Sequence, residues 1–396
     1  MEDVMLNRIM NLSLPAGQSS FLWGARGTGK STFLHTKFPE SIYIDLLKTD
    51  VFSRLYAQPW QLREQLLAEK PEKLKQLIVI DEIQKIPALL DEVHWLIENK
   101  GLAFILSGSS VRKLKRNGAN LLGGRAWLHT FYPLVYKEIP DFDLLRALNN
   151  GLIPKHYLTT DANRFLQAYI KIYLREEIQA EGLVRNLPGF AKFLDVAAFC
   201  NGELVEYNNI ARDCHIDPKT VKSYYQILVD TLVAYSIEPY AVKIKRDLIV
   251  ATPKMYLFDV GVANYLSKKN ISNLQGFDAG KSFEHFILME IIAYIGINCL
   301  DYKVNYWRSK TGYEVDFVID DGRIAIEVKL SSDPLAKDLR GLLAFCEDYK
   351  PERAIVVCNS PIKRRVESNL GVVYDILPWR DFLDNLWGGE YLPLGD

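Results

Sequence analysis

Residues 24–31 read Gly24-Ala25-Arg26-Gly27-Thr28-Gly29-Lys30-Ser31 and fit the pattern G-x-x-x-x-G-K-[ST]. Glycines in this pattern let backbone N–H groups close around phosphate oxygens, while Lys30 would reach the β- and γ-phosphates and the Ser31 hydroxyl would ligate Mg²⁺. An apolar strand ends at Trp23, and Thr32 follows in a segment that can open a helix, whose positive end would face the phosphates. Residues 24–32 therefore predict a site for phosphate groups and Mg²⁺. A glycine-rich turn ahead of a helix is the alternative.

Two acids, Asp81 and Glu82, end another apolar run at residues 77–80. At a strand tip, Asp81 would hold Mg²⁺ through water, and Glu82 is placed to polarise an attacking water as a general base. A solvated strand end is the simpler explanation of the pair. Further apolar runs at residues 20–23, 42–44 and 103–106 alternate with helical patterns, which predicts a parallel sheet covered on both faces.

The strand Ile42–Asp45 lies between the loop strand and the strand that ends in the two acids. That inserted strand, with the Asp-Glu pair, resembles the additional-strand, catalytic-glutamate branch of P-loop ATPases, which includes the AAA+ and STAND groups. The resemblance implies that Ser107 or Ser109 senses the γ-phosphate, although an ordinary Ser/Gly loop is the alternative. Arg125 could reach the nucleotide of a neighbouring subunit as an arginine finger, or it could be a solvated or phosphate-contacting arginine.

The second block of the chain contains a helix-turn-helix pattern at residues 207–225. Asp217 can cap the second helix, and Pro218 suits its first position. The apolar stripe of this helix comprises Val221, Tyr225, Leu228 and Leu232. The residues left to face outward, as on a DNA recognition helix, are Lys219, Thr220, Lys222 and Ser223.

A candidate wing, residues 235–250, follows the helices and carries Lys243, Lys245 and Arg246. Helices and wing together predict a winged helix. Winged helices bind DNA but also pack as protein–protein lids, so a structural role stays open beside DNA contact.

The third block brings together acids and a lysine. Asp316, Glu327 and Lys329 fit the D-(x)n-E-x-K pattern of PD-(D/E)XK nucleases, on two predicted strands joined by the turn 320–322. Glu327 and Lys329 are two residues apart on a strand, so both point to one face. Glu284 lies on the apolar face of an upstream helix, where a carboxylate is costly unless it is paired or binds metal.

These acids allow two interpretations. Glu284, Asp316 and Glu327 could together ligate Mg²⁺, with Lys329 orienting or activating the attacking water. Alternatively, they form a buried Glu/Asp–Lys network in a domain that does not cut.

The order of these motifs, with residues 253–259 between the helix-turn-helix and Glu284, resembles a large prokaryotic family. Its members are AAA+/STAND-like ATPases with a C-terminal domain of long-unassigned function that has a PD-(D/E)XK-like core. The resemblance spans nearly the whole chain and implies an α/β multidomain protein. We expect a P-loop NTPase domain with a parallel sheet at 1–145, a helical and winged-helix domain at 146–268, and a restriction-endonuclease-like α/β domain at 269–396.

The resemblance implies ATP, rather than GTP, and Mg²⁺ as cofactors, and DNA as a partner. The leading hypothesis is a Mg²⁺-dependent ATP hydrolase that acts as a homo-oligomer, in a ring for example, on DNA with branched or broken ends. The first alternative is an ATP-regulated DNA nuclease. The second is a STAND-like switch in which ATP sets an oligomeric or partner-bound state without cleavage.

Composition limits these hypotheses. The 396 residues include 48 Lys+Arg and 49 Asp+Glu, a net charge of −1, which excludes a uniformly basic binder but not local patches. One such patch comprises Arg112, Lys113, Lys115, Arg116 and Arg125. Five cysteines without a CxxC pair predict reduced thiols and a cytoplasmic location. No signal peptide and no run of apolar residues long enough to span a membrane is evident, so we expect no membrane partner.

Overall fold

The computed structural model describes residues 6–110, 122–174, 184, 186–240, 252–369 and 371–394. The chain divides into two units. The first comprises residues up to Leu134 together with Asp230–Val233, and the second comprises Val135–Val229 together with residues from Ala234 onward. The expected domain boundaries at 145/146 and 268/269 both fall inside the second unit.

A five-stranded parallel sheet forms the centre of the first unit, in the spatial order β2-β3-β4-β1-β5. Its strands are β1 Ser19–Trp23, β2 Ile42–Asp45, β3 Ile78–Asp81, β4 Phe104–Gly108 and β5 Ala126–Thr130. Every residue of β1, β3 and β4 is buried, as expected for central strands of a parallel sheet covered on both faces. The prediction of a parallel sheet is confirmed.

The additional strand is not the one that the sequence suggested. β2 lies at the edge of the sheet, and β4 is the strand inserted between β1 and β3. Burial gives the reason: β2 alternates between buried and half-buried residues, whereas β4 is buried throughout. Order along the chain did not reveal which of the two apolar runs would take the central place.

Helices flank this sheet at α1 Lys30–Lys37, α2 Thr49–Ala57, α3 Gln61–Leu67 and α4 Leu89–Lys100. Helix α1 begins at Lys30, two residues earlier than the expected Thr32. The loop before it needs its glycines, because Gly27 and Gly29 have φ angles of +81° and +97°. A Cβ on Gly24 would lie 2.3 Å from the Phe131 carbonyl oxygen.

The second unit begins with helices, at α5 Leu144–Asn150, α6 Pro154–Leu158, α7 Ala162–Ala168, α8 Leu187–Phe199, α9 Tyr207–Cys214 and α10 Pro218–Asp230. Helices α9 and α10 match the predicted helix-turn-helix, with Asp217 Oδ1 accepting the backbone N–H of Thr220 at 3.0 Å. The predicted apolar stripe is one residue too long. Helix α10 ends at Asp230, and Leu232 lies beyond it with a left-handed φ of +58°.

An eight-stranded mixed sheet follows, in the spatial order β12-β13-β11-β10-β9-β8-β6-β7. Its strands are β6 Ala234–Pro239, β7 Lys254–Leu257, β8 Val304–Arg308, β9 Glu314–Ile319, β10 Ile324–Lys329, β11 Arg353–Cys358, β12 Arg364–Glu367 and β13 Val373–Pro378. The accompanying helices are α11 Val260–Leu266, α12 Phe277–Ile297, α13 Arg340–Tyr349 and α14 Trp379–Trp387. Strands β9 and β10 pair antiparallel, as the predicted hairpin requires, and β10 and β11 pair parallel.

Strand β6, which overlaps the start of the candidate wing, also belongs to this sheet. β6 pairs antiparallel with β7 and parallel with β8, where Glu238 and Pro239 register with Asn305 and Tyr306. The wing candidates Lys243, Lys245 and Arg246 lie outside the described residues, as do Arg112, Lys113, Lys115 and Arg116 of the basic patch. Across the part of the chain that the structure describes, no helix is both long enough and apolar enough to cross a membrane.

Candidate functional site

The phosphate-loop lysine contacts its own loop. Lys30 Nζ donates to the carbonyl oxygens of Gly24 at 2.7 Å and Ala25 at 3.2 Å. The Thr28 hydroxyl also donates to the Ala25 carbonyl, at 2.8 Å. Lys30 is 6% exposed, so its charge is held at the centre of the loop and not in solvent. Arg26 and Thr32, by contrast, are exposed at the surface of the loop and of α1.

An arginine that the sequence analysis missed supports this loop from outside. Arg8 Nη1 donates to the Thr28 carbonyl at 2.8 Å, and its Nη2 donates to the Tyr132 carbonyl, also at 2.8 Å. The guanidinium lies 4.2 Å from the ring centroid of Phe131. Arg8 therefore connects the loop to the chain just after β5. No motif marks this residue, because its contacts are to backbone carbonyls far away in sequence.

Asp81 lies at the carboxyl end of β3 and accepts hydrogen bonds from three hydroxyl groups. Ser31 Oγ and the Tyr43 hydroxyl each lie 2.7 Å from Asp81 Oδ2, and Ser107 Oγ donates to Oδ1. The carboxyl ends of β3 and β4 and the start of α1 meet here, since parallel strands end at the same edge of a sheet. The predicted residues Ser31, Asp81 and Ser107 are thus brought together, with 50 residues separating the first two.

Tyr43 is a further residue of this site that sequence reasoning missed. Burial, together with the neighbouring Asp81 carboxylate, raises the pKa of its hydroxyl far above the ordinary value, so the hydroxyl stays a donor. The ring of His35 stacks on the Tyr43 ring with 3.9 Å between centroids. The only signal in the sequence is a tyrosine within an aliphatic strand, two residues before Asp45.

Glu82, the predicted general base, has a strained backbone with φ of +62°, a region that non-glycine residues enter rarely. Its Oε2 accepts a hydrogen bond from Gln84 Nε2, which also lies 3.2 Å from Ser109 Oγ. Gln84 is 4% exposed, and its Oε1 has no hydrogen-bond partner among the described residues. Gln84 therefore links the general-base candidate to the serine loop after β4, a contact that the sequence analysis did not anticipate.

Arg125 lies where the parallel strands begin, whereas the phosphate loop lies at their carboxyl ends. It precedes β5, whose first residue Ala126 pairs with Ser19 at the start of β1, whereas the loop follows the end of β1. Its guanidinium pairs with Glu98 on α4, and this pair lowers the pKa of the Glu98 carboxyl. Arg125 is thus not brought to the phosphate loop of its own chain.

The predicted acids of the third block, Glu284 on α12, Asp316 on β9 and Glu327 on β10, meet in a carboxylate centre, which also includes Glu314 on β9. Asp316 Oδ2 accepts the Val328 backbone N–H at 2.8 Å. Lys329 Nζ lies 2.6 Å from Glu327 Oε1 and 3.9 Å from Asp316 Oδ2. Asp316, Glu327 and Lys329 therefore belong to one network, and Glu284 joins it because its charge interacts with that of Lys329.

Lysines that the sequence analysis did not assign to the site also enter this network. Glu284 accepts the Tyr256 hydroxyl at 2.6 Å and lies 3.3 Å from Lys281 Nζ and 3.9 Å from Lys254 Nζ. Lys254 also pairs with Glu314. The alternation of charges explains why acids can be buried here, because each acid faces a cation.

The pKa values of the acids diverge. Burial opposes ionisation of Glu284, but Lys254 and Lys281 outweigh it and hold the pKa of that carboxyl below its ordinary value. Burial and the nearby Glu284 raise the pKa of Asp316. Burial and Asp316 raise the pKa of Glu327 to about 8. Among the described residues, no three His, Cys, Asp or Glu side chains are arranged so that they could hold a metal ion.

The recognition-helix candidates keep the orientation that the pattern predicts. On α10, Lys219, Lys222 and Ser223 are exposed and Thr220 is half-buried. Val221, Tyr225 and Leu228, on the other side of the same helix, are buried. One face of α10 is thus polar and open to solvent.

Three family matches divide the chain. Residues 17–140 match the family described as an AAA domain. Residues 142–273 match a domain of unknown function, DUF8612, and residues 279–380 match another, DUF4143. The first match and the parallel sheet define residues 17–140 as a P-loop ATPase domain of the AAA type. This class implies nucleotide binding.

No curated protein matches the chain in sequence. Among solved structures, the chain is similar to the structure of the Aeropyrum pernix Orc1 protein in complex with DNA, with 14% sequence identity. The similarity covers 63% of this chain and 86% of that chain, with a TM-score of 0.25. At that score the likeness supports no argument about function.

Proposed function

We propose that the chain is a Mg²⁺-dependent ATP hydrolase that acts on DNA as a homo-oligomer. The observation that carries the ATPase part is the 2.7 Å hydrogen bond between Ser31 Oγ and Asp81 Oδ2 beside the phosphate loop. A hydroxyl and a carboxylate at this distance are oxygen ligands of the kind that Mg²⁺ prefers, so the residues fit the ion. Bound there, Mg²⁺ would neutralise charge on the β- and γ-phosphates.

Each residue of the site then has a role. Lys30 would exchange the neutral carbonyls of Gly24 and Ala25 for phosphate oxygens, because charge-assisted hydrogen bonds are the stronger ones. Ser31 and Asp81 would hold the ion, directly and through water. Glu82 would accept a proton from the attacking water, after its carboxylate leaves Gln84. Ser107, which shares Asp81, would report the state of the γ-phosphate.

Oligomerisation is part of the proposal because of Arg125. Arg125 lies at the amino-terminal end of the strands, and its own phosphate loop lies at their carboxyl end. It would therefore serve as an arginine finger only for the nucleotide of a neighbouring subunit. Arg125→Ala should then lower turnover per subunit while leaving nucleotide binding intact, and mixing it with Lys30→Ala chains should restore some turnover. Unchanged turnover in Arg125→Ala would contradict this role.

DNA binding is proposed for the open face of α10, through Lys219, Thr220, Lys222 and Ser223, with Lys243, Lys245 and Arg246 of the candidate wing. The order α9, α10, β6, β7 supports a winged helix. The order α12, β8, β9, β10, α13, β11 supports a restriction-endonuclease-like fold for the last third of the chain. Branched or broken DNA ends are the substrates that we would test first.

The experiment compares ATP turnover of the full chain alone and with duplex, single-stranded and branched DNA. We expect Lys30→Ala and Glu82→Gln to abolish turnover, and DNA to stimulate the wild type. Thr36→Ala, a nearby change on the exposed face of α1, is the control and should behave as wild type. An equal rate with and without every DNA would contradict the DNA part. Turnover that survives Lys30→Ala would contradict the ATPase part.

The two alternatives have their own readouts. A nuclease would cleave DNA with Mg²⁺ or Mn²⁺ and lose cleavage in Asp316→Ala; we do not extend the proposal to cleavage, because cations of the chain already pair with the carboxylates. A STAND-like switch would show a single slow turnover without DNA and a change of mass with nucleotide.

A further inference from the structure

Lys254 lies within the carboxylate centre, although lysine is among the residue types least often buried. Only 1% of the residue is exposed. Its Nζ contacts Glu314 Oε1 and lies 3.9 Å from Glu284 Oε1, so it lies between acids from two different elements. It also lies 5.4 Å from the ring centroid of Tyr306. A fixed cation thus occupies the interior between α12 and β9.

Three further cations balance the charge of the centre. The contacts are Lys281 Nζ to Glu284 Oε2 at 3.3 Å, Lys329 Nζ to Glu327 Oε1 at 2.6 Å, and Arg308 Nη1 to Glu314 Oε2 at 3.1 Å. With Lys254, four cations face the four carboxylates, although Lys281 Nζ also lies 3.1 Å from Glu203 Oε1. A buried charge is tolerated when it is paired and costly when it is not, and every acid of the centre has a cation of the chain beside it.

One oxygen of the centre has no partner. Glu327 is 4% exposed, and its Oε2 makes no hydrogen bond among the described residues. The charge of Glu327 interacts with those of Asp316, Lys329 and Glu284, so the carboxylate belongs to the centre. A buried carboxylate oxygen without a donor is the kind of atom to which a hard divalent cation binds. The centre therefore contains carboxylate oxygens of the kind that a divalent cation binds, although among the described residues no three of its acids are arranged to hold a metal ion.

We propose that Lys254 takes the place of a divalent cation in the carboxylate centre, so that the natural chain keeps this centre closed to metal and removal of the lysine opens it. The ligand of the opened site would be a small, oxygen-preferring ion such as Mg²⁺ or Mn²⁺. The Lys254 ammonium lies 3.9 Å from Glu284, one of the three acids expected to hold a metal ion, and its charge also interacts with that of Asp316.

The test measures Mn²⁺ binding by calorimetry and the shift of the thermal unfolding midpoint with added Mn²⁺, on full-length protein without nucleotide. Asp81→Asn is present throughout to remove the metal ligand beside the phosphate loop. We expect the parent, which carries Asp81→Asn and keeps Lys254, to show no shift of its unfolding midpoint with Mn²⁺. Lys254→Met, which keeps the length of the side chain but removes its charge, should bind Mn²⁺ at least ~10-fold more tightly and be stabilised by it.

Two controls keep the test decisive. Lys269→Met removes the cation of the ion pair with Asp278, outside the centre, and should gain no Mn²⁺ binding. If Lys254→Met alone does not fold, Lys254→Met with Glu314→Gln removes one cation and one acid together and serves instead. Stoichiometric Mn²⁺ binding by the parent that Asp316→Asn abolishes would overturn the proposal. A folded Lys254 variant that binds no more Mn²⁺ than the parent would also overturn it.

Discussion

At the scale of single residues, Tyr43 is the group beside Asp81 whose role is least expected from the sequence. Its hydroxyl and that of Ser31 donate to the same carboxylate oxygen, each at 2.7 Å. Because Ser31 would turn towards Mg²⁺ when nucleotide binds, Tyr43 would then be the donor that keeps Asp81 Oδ2 in place. This makes Tyr43 a positioning residue, distinct from the groups that contact the nucleotide.

Tyr43→Phe should therefore lower turnover more than it lowers nucleotide affinity. The loss of one hydrogen bond to a charged acceptor is worth about 1.5–3 kcal/mol, which corresponds to a roughly 10- to 150-fold decrease in kcat if the bond acts fully in the transition state. The phenyl ring keeps the stack with His35, so the fold should be retained. Steady-state kinetics across Mg²⁺ concentrations and nucleotide binding by calorimetry provide the measurement. Tyr56→Phe on the exposed side of α2 is the matched control. An unchanged kcat would exclude the positioning role.

Glu290 offers a second residue-scale prediction, on pH. It is 1% exposed and accepts the Tyr136 N–H and the Trp387 indole N–H, both at 2.8 Å. Burial raises its pKa to about 8. Between the ordinary carboxyl value and about 8, the folded chain thus binds a proton that the unfolded chain has released. Stability therefore falls as pH rises through this window and levels off above it.

Glu290→Gln should remove the part of that fall that Glu290 contributes, because the amide does not titrate, while Glu327, whose pKa is also raised to about 8, keeps its own contribution. At pH 5 the variant should be less stable than wild type, because its amide accepts hydrogen bonds from Tyr136 and Trp387 less well. Towards pH 8 this difference in stability should become smaller or reverse. Urea unfolding at several pH values measures the difference. Glu64→Gln on the surface of α3 should leave the wild-type pH profile unchanged. A constant difference between Glu290→Gln and wild type from pH 5 to pH 8 would show that Glu290 does not titrate in this window.

At the scale of elements, Asp259 fixes the start of α11. Its carboxylate accepts the Val262 N–H at 2.9 Å as an N-cap and the Leu152 N–H at 2.6 Å, so it also fixes the connection between α5 and α6. A Cβ on Gly151 would lie 2.0 Å from Asp259 Oδ1, which explains the glycine there. Two segments of the second unit thus depend on one buried carboxylate.

Asp259→Ala should destabilise the second unit by on the order of 3 kcal/mol, because two buried N–H groups lose their acceptor. Chemical unfolding followed by circular dichroism measures the loss. Asp143→Ala removes the exposed cap of α5, which accepts a single N–H from Arg146, and should cost less. Equal losses in the two variants would contradict the bridging role of Asp259.

Sequence reasoning succeeded where a local pattern implies a geometry. Ser31 and Asp81 meet because a phosphate loop and a strand-terminal acid both lie at the carboxyl edge of a parallel sheet. It failed on the order of β2 and β4, since both are short apolar runs and only burial on two faces distinguishes them. Arg8, Tyr43, Gln84 and Lys254 were not found as site residues. Each makes at least one contact with a residue far away in sequence, which depends on how separate elements pack, and no spacing in the chain encodes that.

At the scale of the whole molecule, a net charge of −1 means that DNA binding has to depend on local groups. The open face of α10 carries two lysines, Lys219 and Lys222, and the wing candidates Lys243, Lys245 and Arg246 lie outside the described residues. Affinity should therefore depend steeply on salt, although the chain as a whole is nearly neutral.

The slope of log K against log salt should decrease in magnitude by roughly 2 when Lys219 and Lys222 are both changed to alanine, if each contacts one phosphate. Fluorescence anisotropy with labelled duplex DNA across salt concentrations measures it. Lys70→Ala with Lys75→Ala, exposed lysines of the first unit, is the control pair and should leave the slope unchanged. If only the control pair changes the slope, DNA contacts the first unit and not α10.

The continuity of the second sheet has a consequence for how such chains can evolve. Strands β6 and β7 lie within the DUF8612 match and β8 within the DUF4143 match, yet β6 and β8 are neighbours in one sheet. If recombination joined two different parent chains between residues 273 and 279, β6 would come from one parent and β8 from the other. Each strand would then pair with a neighbour whose side chains differ from those of its original partner. We therefore expect these two regions to be inherited together, as a single module of gene shuffling.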